Sequence, residues 1–481
     1  MSGLDFGLIG AYLLGTVLFG VWVGRGQRSA GDYMLGSRDL PAWAVLLSIV
    51  ATETSTVTFL SAPGAAYEGN LTFLQLPLGY ILGRVAVVLV LMPGYFRGQY
   101  FTAYQVLQER FGGTTKQVAS LLFLVTRSLA DGLRLTLTAI VLHRLTGWGM
   151  VPSILAMGAV TVVYTYFGGM KAVVWTDVSQ FFVYLAGAVA AFAVLLGKLP
   201  GGWQELVDSA GEAGKLRMFE FAFEADRAYG FWAGLVGGAF LSFASHGADQ
   251  LMVQRYLCAR SQRGAAWALL LSGPVVFVQF TLFLFLGLGL YAFYRGQPAL
   301  PGDQVFARFI VDHLRQPPGL LGLVVGAVFA AALSTLSSSL NSSATTAVKD
   351  LYLPWFRPDA SEREQLVLTK TLTALFGGVQ MLVAIAGIYQ ERSILDRVLE
   401  IAGFTTGPIL GLFLLGRCTT HVRQPAALAG LLVAIATLCT VRFVLPEWTG
   451  WRLAWPWYPA LGAFTTVAAG LAAATLRPRH P

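Results

Sequence analysis

The chain has 481 residues, 56% of them hydrophobic and only 12% charged, with 33 Lys and Arg against 25 Asp and Glu and a formal net charge of +8. A soluble chain would carry roughly twice that charge, so a string of soluble domains is excluded. The basic excess is scattered over loops rather than gathered into a nucleic-acid surface, and Cys258, Cys418 and Cys439 have neither disulfide nor metal-ligand spacing.

Apolar runs of about 20 residues, enough to cross a bilayer, recur along the whole length. The opening "MSGLDFGLIGAYLLGTVLFGVWVGRG" has no basic n-region or small-residue cleavage site and reads as a retained span over 5–24. The pattern predicts thirteen spans, centred near residues 14, 54, 84, 130, 159, 185, 241, 279, 333, 377, 405, 434 and 466. Loops after odd-numbered spans hold Arg25, Arg28, Arg38; Arg97, Arg110, Lys116; Lys171; Arg255, Arg260, Arg263; Lys349, Arg357, Arg363; Arg417, Arg423; and Arg477, Arg479. Short loops after even-numbered spans hold Arg144, Arg392 and Arg452. The positive-inside rule then puts the N-terminus outside and the C-terminus inside.

The second span, "SIVATETSTVTFLSAPG", and the seventh, "GGAFLSFASHGADQ", are polar at mid-membrane. They stand five spans apart, so spans 2–6 (42–198) and 7–11 (229–416) form two equivalent halves, followed by two helices over 423–476. Interrupted spans at corresponding positions mark an inverted-repeat transporter with its site at the midplane; ordinary Gly and Pro kinks are the plainer alternative.

Ionisable groups in hydrocarbon cost at least ~2.5 kcal/mol each, so each needs a partner or a task. Arg127, Asp131 and Arg134 share a helix face and neutralise one another. Arg84 is available to a carboxylate such as Glu53. Glu53, Asp177, His246 and Glu400 have no partner nearby in sequence. In "AALSTLSSSLNSS", 331–343, eight of the ten residues from Ser334 to Ser343 carry a hydroxyl or an amide. Small-residue packing explains two or three of them. The full set suits an alkali-metal ion, which takes several oxygens with little fixed charge.

Four stretches then carry a resemblance: "DYMLGSRDLPAWAVLLSIVATETS" at 32–55, "FGGMKAVVWTDVSQ" at 167–180, "GADQLMVQRYL" at 247–257 and "AALSTLSSSLNSSATTAVKDLY" at 331–352. In that order, and with thirteen spans, the chain resembles the sodium:solute symporter family over essentially its whole length. The resemblance implies an all-α, multi-pass cell-membrane protein with a LeuT-like inverted repeat of five plus five helices. It implies a main sodium site from Ala51, Thr54, Ala331, Ser334 and Thr335, and a second from Asp177, Ser334, Ser337 and Ser338. It places Glu53, Thr58, Phe59, Ser242, Ser245, His246 and Glu400 around the solute, with Gln75, Tyr80 and Gln279 as looser candidates.

Where sugar carriers of the family have an amide beside sodium, a polar contact on the tenth helix and an aromatic, this chain has Glu53, Glu400 and His246. Two carboxylates repel a bare anion unless Arg84, sodium or a proton compensates. An amine, amino acid or polyhydroxy compound is thereby favoured over a monocarboxylate. The expected activity is sodium-coupled import of a small polar solute: amino acid, amine, sugar, polyol or carboxylate. A proton-coupled carrier and, more remotely, a membrane enzyme using Glu53, His246 and Glu400 are the alternatives. The expected partners are sodium, the solute and the lipid bilayer, without nucleic acid. The oligomeric state stays open, a monomer being sufficient.

Overall fold

The computed structural model describes residues 1–25, 29–298, 300–388 and 394–476. Within them the chain is helical and has no strand; Arg28, Arg392, Arg477 and Arg479, counted above as loop cations, lie outside the described residues. Hydrocarbon offers the backbone no hydrogen bonds, so apolar runs of this length close theirs internally, as helices. Among the described residues, eight helices are long and apolar enough to cross a membrane, or nine if one bent pair is a single span.

That pair is α2 (Ala42–Glu53) and α3 (Thr56–Glu68), bent by 58°. It follows α1 (Gly3–Gly24). Thr54 and Ser55 leave helical dihedrals between the two, in a Thr–Glu–Thr–Ser–Thr run whose hydroxyls compete with backbone bonding. Next come α4 (Leu71–Tyr95), α5 (Gly113–Thr146) and α6 (Met150–Lys198). Gly169 sits at φ 57° inside α6 and turns this long element into two helices end to end; a side chain would resist that dihedral. A second break separates α7 (Gly238–Gly247) from α8 (Gln250–Leu257). There Asp249 caps α8 by accepting the Leu251 N–H at 2.9 Å. The chain continues through α9 (Gln262–Phe293) and α10 (Leu320–Thr346), then α11 (Glu362–Ala386) and α12 (Ile394–Cys418), and ends with α13 (Gln424–Cys439) and α14 (Tyr458–Thr475).

The serine-rich α10 is the central element, packed on α6, α5, α11 and α1; 89% of its apolar window is buried, against 11% for α1. Its hydroxyls therefore face protein, not lipid. Gly83 lets α4 close onto α7, because a Cβ there would fall inside the Ala239 backbone.

Loop contacts divide into two ends. At one, Arg38 reaches the Tyr100 carbonyl at 2.6 Å, Arg110 the Thr419 carbonyl at 2.9 Å, and Glu362 accepts the Ala30 N–H at 2.9 Å. At the other, Asp5 holds Gly319 and Gly322, Arg144 reaches Gln304, and the Ala454 N–H bonds the Ala225 carbonyl. Two residues counted as loop cations are instead interior: Arg255 is fully buried, and Lys116 lies 4.0 Å from the buried Asp350.

Candidate functional site

Breaking the helix between α2 and α3 frees carbonyls. The Ser55 N–H, which a continuous helix would give to Ala51, bonds the Glu53 carbonyl at 3.1 Å instead. The released Ala51 carbonyl receives the Ser334 hydroxyl at 2.9 Å, and the same hydroxyl lies 3.1 Å from the Ala331 carbonyl. One residue further on, Thr335 donates to the Thr52 carbonyl at 2.8 Å. Hydroxyls of α10 thus meet opened backbone of α2 in a buried, uncharged cluster of oxygens. Thr54 is buried at the break itself. Such a donor set fits a hard monovalent cation.

One turn along α10, the residues proposed for a second ion surround a guanidinium. Arg255 of α8 donates to Ser48 at 2.9 Å, lies 3.2 Å from Asp177, and bonds Thr52 and Ser338 closely. Ser338 and Ser337 also turn back to the Ser334 carbonyl at 2.7 and 3.4 Å. Oδ1 of Asp177 has no hydrogen-bond partner among the described residues. Arg255 escaped notice in the sequence because it sits six residues past the Asp249 break and counts as a loop cation there. The available signal was its place in a helix-length stretch beside Leu251, Met252, Val253, Tyr256 and Leu257.

Against the main oxygen cluster lies a cavity of about 110 Å³. Glu53, Thr58, Tyr80, Ser242, Ser245 and His246 line it, as does Thr335, so the oxygen cluster and the cavity share a wall. Glu53 is paired with Arg84, and His246 Nε2 lies 3.5 Å from the same carboxylate. Ser245 Oγ is 3.1 Å from His246 Nδ1. Arg127 and Arg134 also line the cavity, so the cluster expected only to neutralise itself belongs to the site. Asp131 holds both of them, and Arg127 reaches Asp249 at 2.8 Å across the α7–α8 break.

The remaining candidates are placed elsewhere. Phe59 packs on Phe283 and Phe306, with ring centroids 5.3 and 5.5 Å away. Gln75 spends its amide on the Tyr229 carbonyl and the Glu220 N–H. Gln279 is buried on α9 outside the lining, where the neighbouring Phe280 contributes instead. On α12 the lining face is Leu395, Val398, Leu399 and Ala402, while Glu400 pairs with Arg442. A larger cavity of about 550 Å³ adjoins, sharing Leu395, with Glu68, Asp303 and Asp396 in its wall.

A bundle with two broken helices, an oxygen cluster at one break and a solute-sized cavity beside it defines an ion-coupled membrane carrier. The profile of the sodium:solute symporter family matches residues 33–434, and the chain belongs to that family. The human sodium/iodide cotransporter is 32% identical over 444 residues, covering 90% of this chain and 68% of that protein. A substrate-bound outward-open Na+-coupled sialic acid symporter superposes with a TM-score of 0.89 at 27% identity, over 99% of this chain and 98% of that one. MHP1, a nucleobase-cation-symport-1 family transporter, shares the fold alone, at 15% identity and a TM-score of 0.59 over 93% and 94% of the two chains. The architecture is thus all-helical and LeuT-like, in a multi-pass sodium-coupled transporter.

Proposed function

We propose that the chain imports a small organic anion together with one sodium ion, by alternating access. The observation that carries coupling is the shared wall: Thr335 touches the opened backbone at Thr52 and also lines the solute cavity. Sodium held by Ala51, Thr54, Ala331, Ser334 and Thr335 orders that wall, and the solute binds well only once it is ordered.

Thirteen spans follow if the α6 kink divides two, the α7–α8 pair is one, and α5 and α14 also cross. The repeats are 42–198 and 229–416. The end bearing Arg38, Arg110 and Arg260 is cytoplasmic by the positive-inside rule, with the N-terminus outside. Exposed tryptophans support this path: Trp148, Trp203, Trp232, Trp448 and Trp451 fall at the outer helix ends, and Trp22, Trp43, Trp267 and Trp355 at the inner ones, where aromatic belts sit.

The solute class follows from charge. Glu53, Asp131 and Asp249 are matched by Arg84, Arg127 and Arg134, so the site is neutral and becomes +1 with sodium bound. A monoanion then completes a neutral complex. The preference in the sequence for an amine, amino acid or polyhydroxy compound held unless Arg84, sodium or a proton compensated the two carboxylates; Glu53 is paired with Arg84, and Glu400 with Arg442. Nε of Arg127 and of Arg134, both in the cavity wall, has no acceptor among the described residues and remains available to an anion. In proteoliposomes carrying a sodium gradient, small monocarboxylates should outcompete amines, sugars and amino acids for uptake. Uptake driven equally well without sodium would refute the coupling; uptake confined to amines would refute the charge argument.

Arg255 supplies the positive charge that a second sodium would bring to Asp177, so we assign one sodium per solute. The measured coupling ratio should be one, and Asp177→Asn should leave it at one while weakening the packing around Arg255. A wild-type ratio of two would mean that the guanidinium vacates this position and would overturn the assignment. One sodium crossing with a monoanion moves no net charge, so the membrane potential drops out, and a tenfold sodium gradient supplies about 1.4 kcal/mol, enough for about tenfold accumulation.

A further inference from the structure

Between α6 and α7 the chain reads "FEFAFE" at 219–224. Phenylalanines alternate with Glu, Ala and Glu, and the alternation is realised in space. The rings of Phe219 and Phe221 stack with centroids 5.8 Å apart and planes 7° from parallel, which places both on one face. Glu220 and Glu224 gather on the other, where Arg217 and Arg227 pair with them at 2.5 to 3.2 Å. The segment therefore has a polar face that is satisfied and an apolar face that is not: Phe221 is 62% and Phe223 68% exposed. Free energy favours covering rings of this size.

We infer that this face is a wedge lodged in the headgroup–acyl boundary of the outer membrane leaflet. Its partner is lipid, not water and not a second protein. The rings continue a surface that the membrane already covers. Phe221 packs on Phe231, centroids 4.9 Å apart, at the residue that leads into the α7 helix, and Phe223 packs on Trp457, 6.0 Å away, at the start of α14. Phe231 is in turn edge-on to the exposed Trp232 of the outer aromatic belt. Both anchoring points are outer ends of membrane helices, so the wedge lies at the depth where aromatic rings are enriched. The Arg–Glu network on its back sits where charged groups reach headgroups and water. A protein partner would have to displace lipid from the ends of both helices.

The placement has a mechanical consequence. The same segment is tied to α4 and α12: the Glu220 N–H donates to Gln75 Oε1 at 3.1 Å, and Gln75 Nε2 donates to the Tyr229 carbonyl at 2.8 Å. The Tyr229 hydroxyl then donates to Asp396 at 2.6 Å, both residues lining the larger outer cavity. Lipid holding the wedge thereby holds the roof of the solute path. Gln75, a looser solute candidate in the sequence, acts here as the joint between wedge and roof.

The inference rests on the proposed membrane path, and the experiment separates the two. Cys418 and Cys439 are replaced by serine, and nitroxide labels are placed singly at Phe221→Cys, Phe223→Cys, Ala222→Cys and Asp226→Cys, with Leu14→Cys as the lipid-facing control on α1. Each full-length variant is checked for monodisperse elution and reconstituted in phosphatidylcholine vesicles, and collision rates with oxygen and with a water-soluble nickel chelate are compared. The wedge predicts an oxygen-to-nickel ratio at 221 and 223 several-fold above that at 222 and 226, approaching the Leu14 value. Nickel access at 221 and 223 equal to that at 226 would place the segment in water and overturn the inference. Shielding of 221 and 223 from both reagents would mean a protein contact, such as a second copy, and would also overturn it. Nickel access at position 14 would remove the membrane path itself and the wedge with it.

Discussion

Ser334→Ala will raise the sodium concentration for half-maximal uptake by about ten- to a hundred-fold. Hydrogen bonds and contacts to charged groups are worth about 1.5–3 kcal/mol, and every 1.4 kcal/mol is about tenfold in affinity. Ser334 is placed for the full effect because its one hydroxyl lies within 3.1 Å of both the Ala51 and the Ala331 carbonyls. Removing it leaves two inward-facing carbonyls and no side-chain oxygen between them. Thr335→Ala should act in the same direction and also weaken the solute, because Thr335 lines the cavity wall. Ser342→Ala is the internal control: equally buried on the same helix, its hydroxyl only returns to the Ser339 carbonyl at 3.1 Å. Its sodium dependence should match the wild type. Sodium titration of tracer uptake at fixed membrane potential decides the matter, and an unchanged half-saturation in Ser334→Ala would sink the ion site.

Ser334 and Thr335 were legible because a run of hydroxyls in an apolar helix is costly without a purpose, and that argument is local. The two helix breaks were legible for the same reason, as polar residues and glycine at mid-span. What sequence did not reveal was partnership at a distance. Asp177 stands seventy-eight residues from Arg255 and Glu400 forty-two from Arg442; Arg84, thirty-one residues from Glu53, was the distant partner that sequence did suggest. No periodicity links such positions. Arg255 was additionally hidden by its position just past a helix break, where arginines are ordinarily loop cations. Orientation about a helix axis was the other gap. Resemblance set Phe59 and Glu400 beside the solute, but a rotation of about 100° per residue is enough to turn Phe59 to its aromatic neighbours while Thr58 faces the cavity. For Arg127 and Arg134 the i, i+4 and i, i+3 spacing to Asp131 does give pairing; that each paired guanidinium still presents a face to the cavity depends on how α5 is turned toward it, which spacing does not specify.

Arg84→Met will abolish anion uptake and lower stability more than any other single change at the site. Arg84 is fully buried and is the chief partner of Glu53, whose remaining neighbour, His246, lies 3.5 Å away. Removing one member of a buried ion pair strands the other charge, at a cost of about 3–5 kcal/mol. The site's charge also falls from neutral to −1, so that bound sodium merely restores neutrality and a monoanion is repelled. Glu53→Gln alone strands the guanidinium in turn, with a smaller loss because an anion can occupy its free donors. The double variant Glu53→Gln/Arg84→Met removes both charges together, and replacing a buried pair by neutral groups is often tolerated. It should regain most of the thermal stability and, with the charge count back at zero, the preference for anions over neutral solutes. The single variant should instead tolerate uncharged or cationic solutes better than the wild type does. A thermal unfolding series on the four proteins of this cycle, paired with competition uptake of an anionic and a neutral probe, gives both the coupling energy and the selectivity. Additive losses in stability would show that the pair is not a unit. An Arg84→Met protein that still takes up anions would show that Arg127 and Arg134, not Arg84, set the charge of the site.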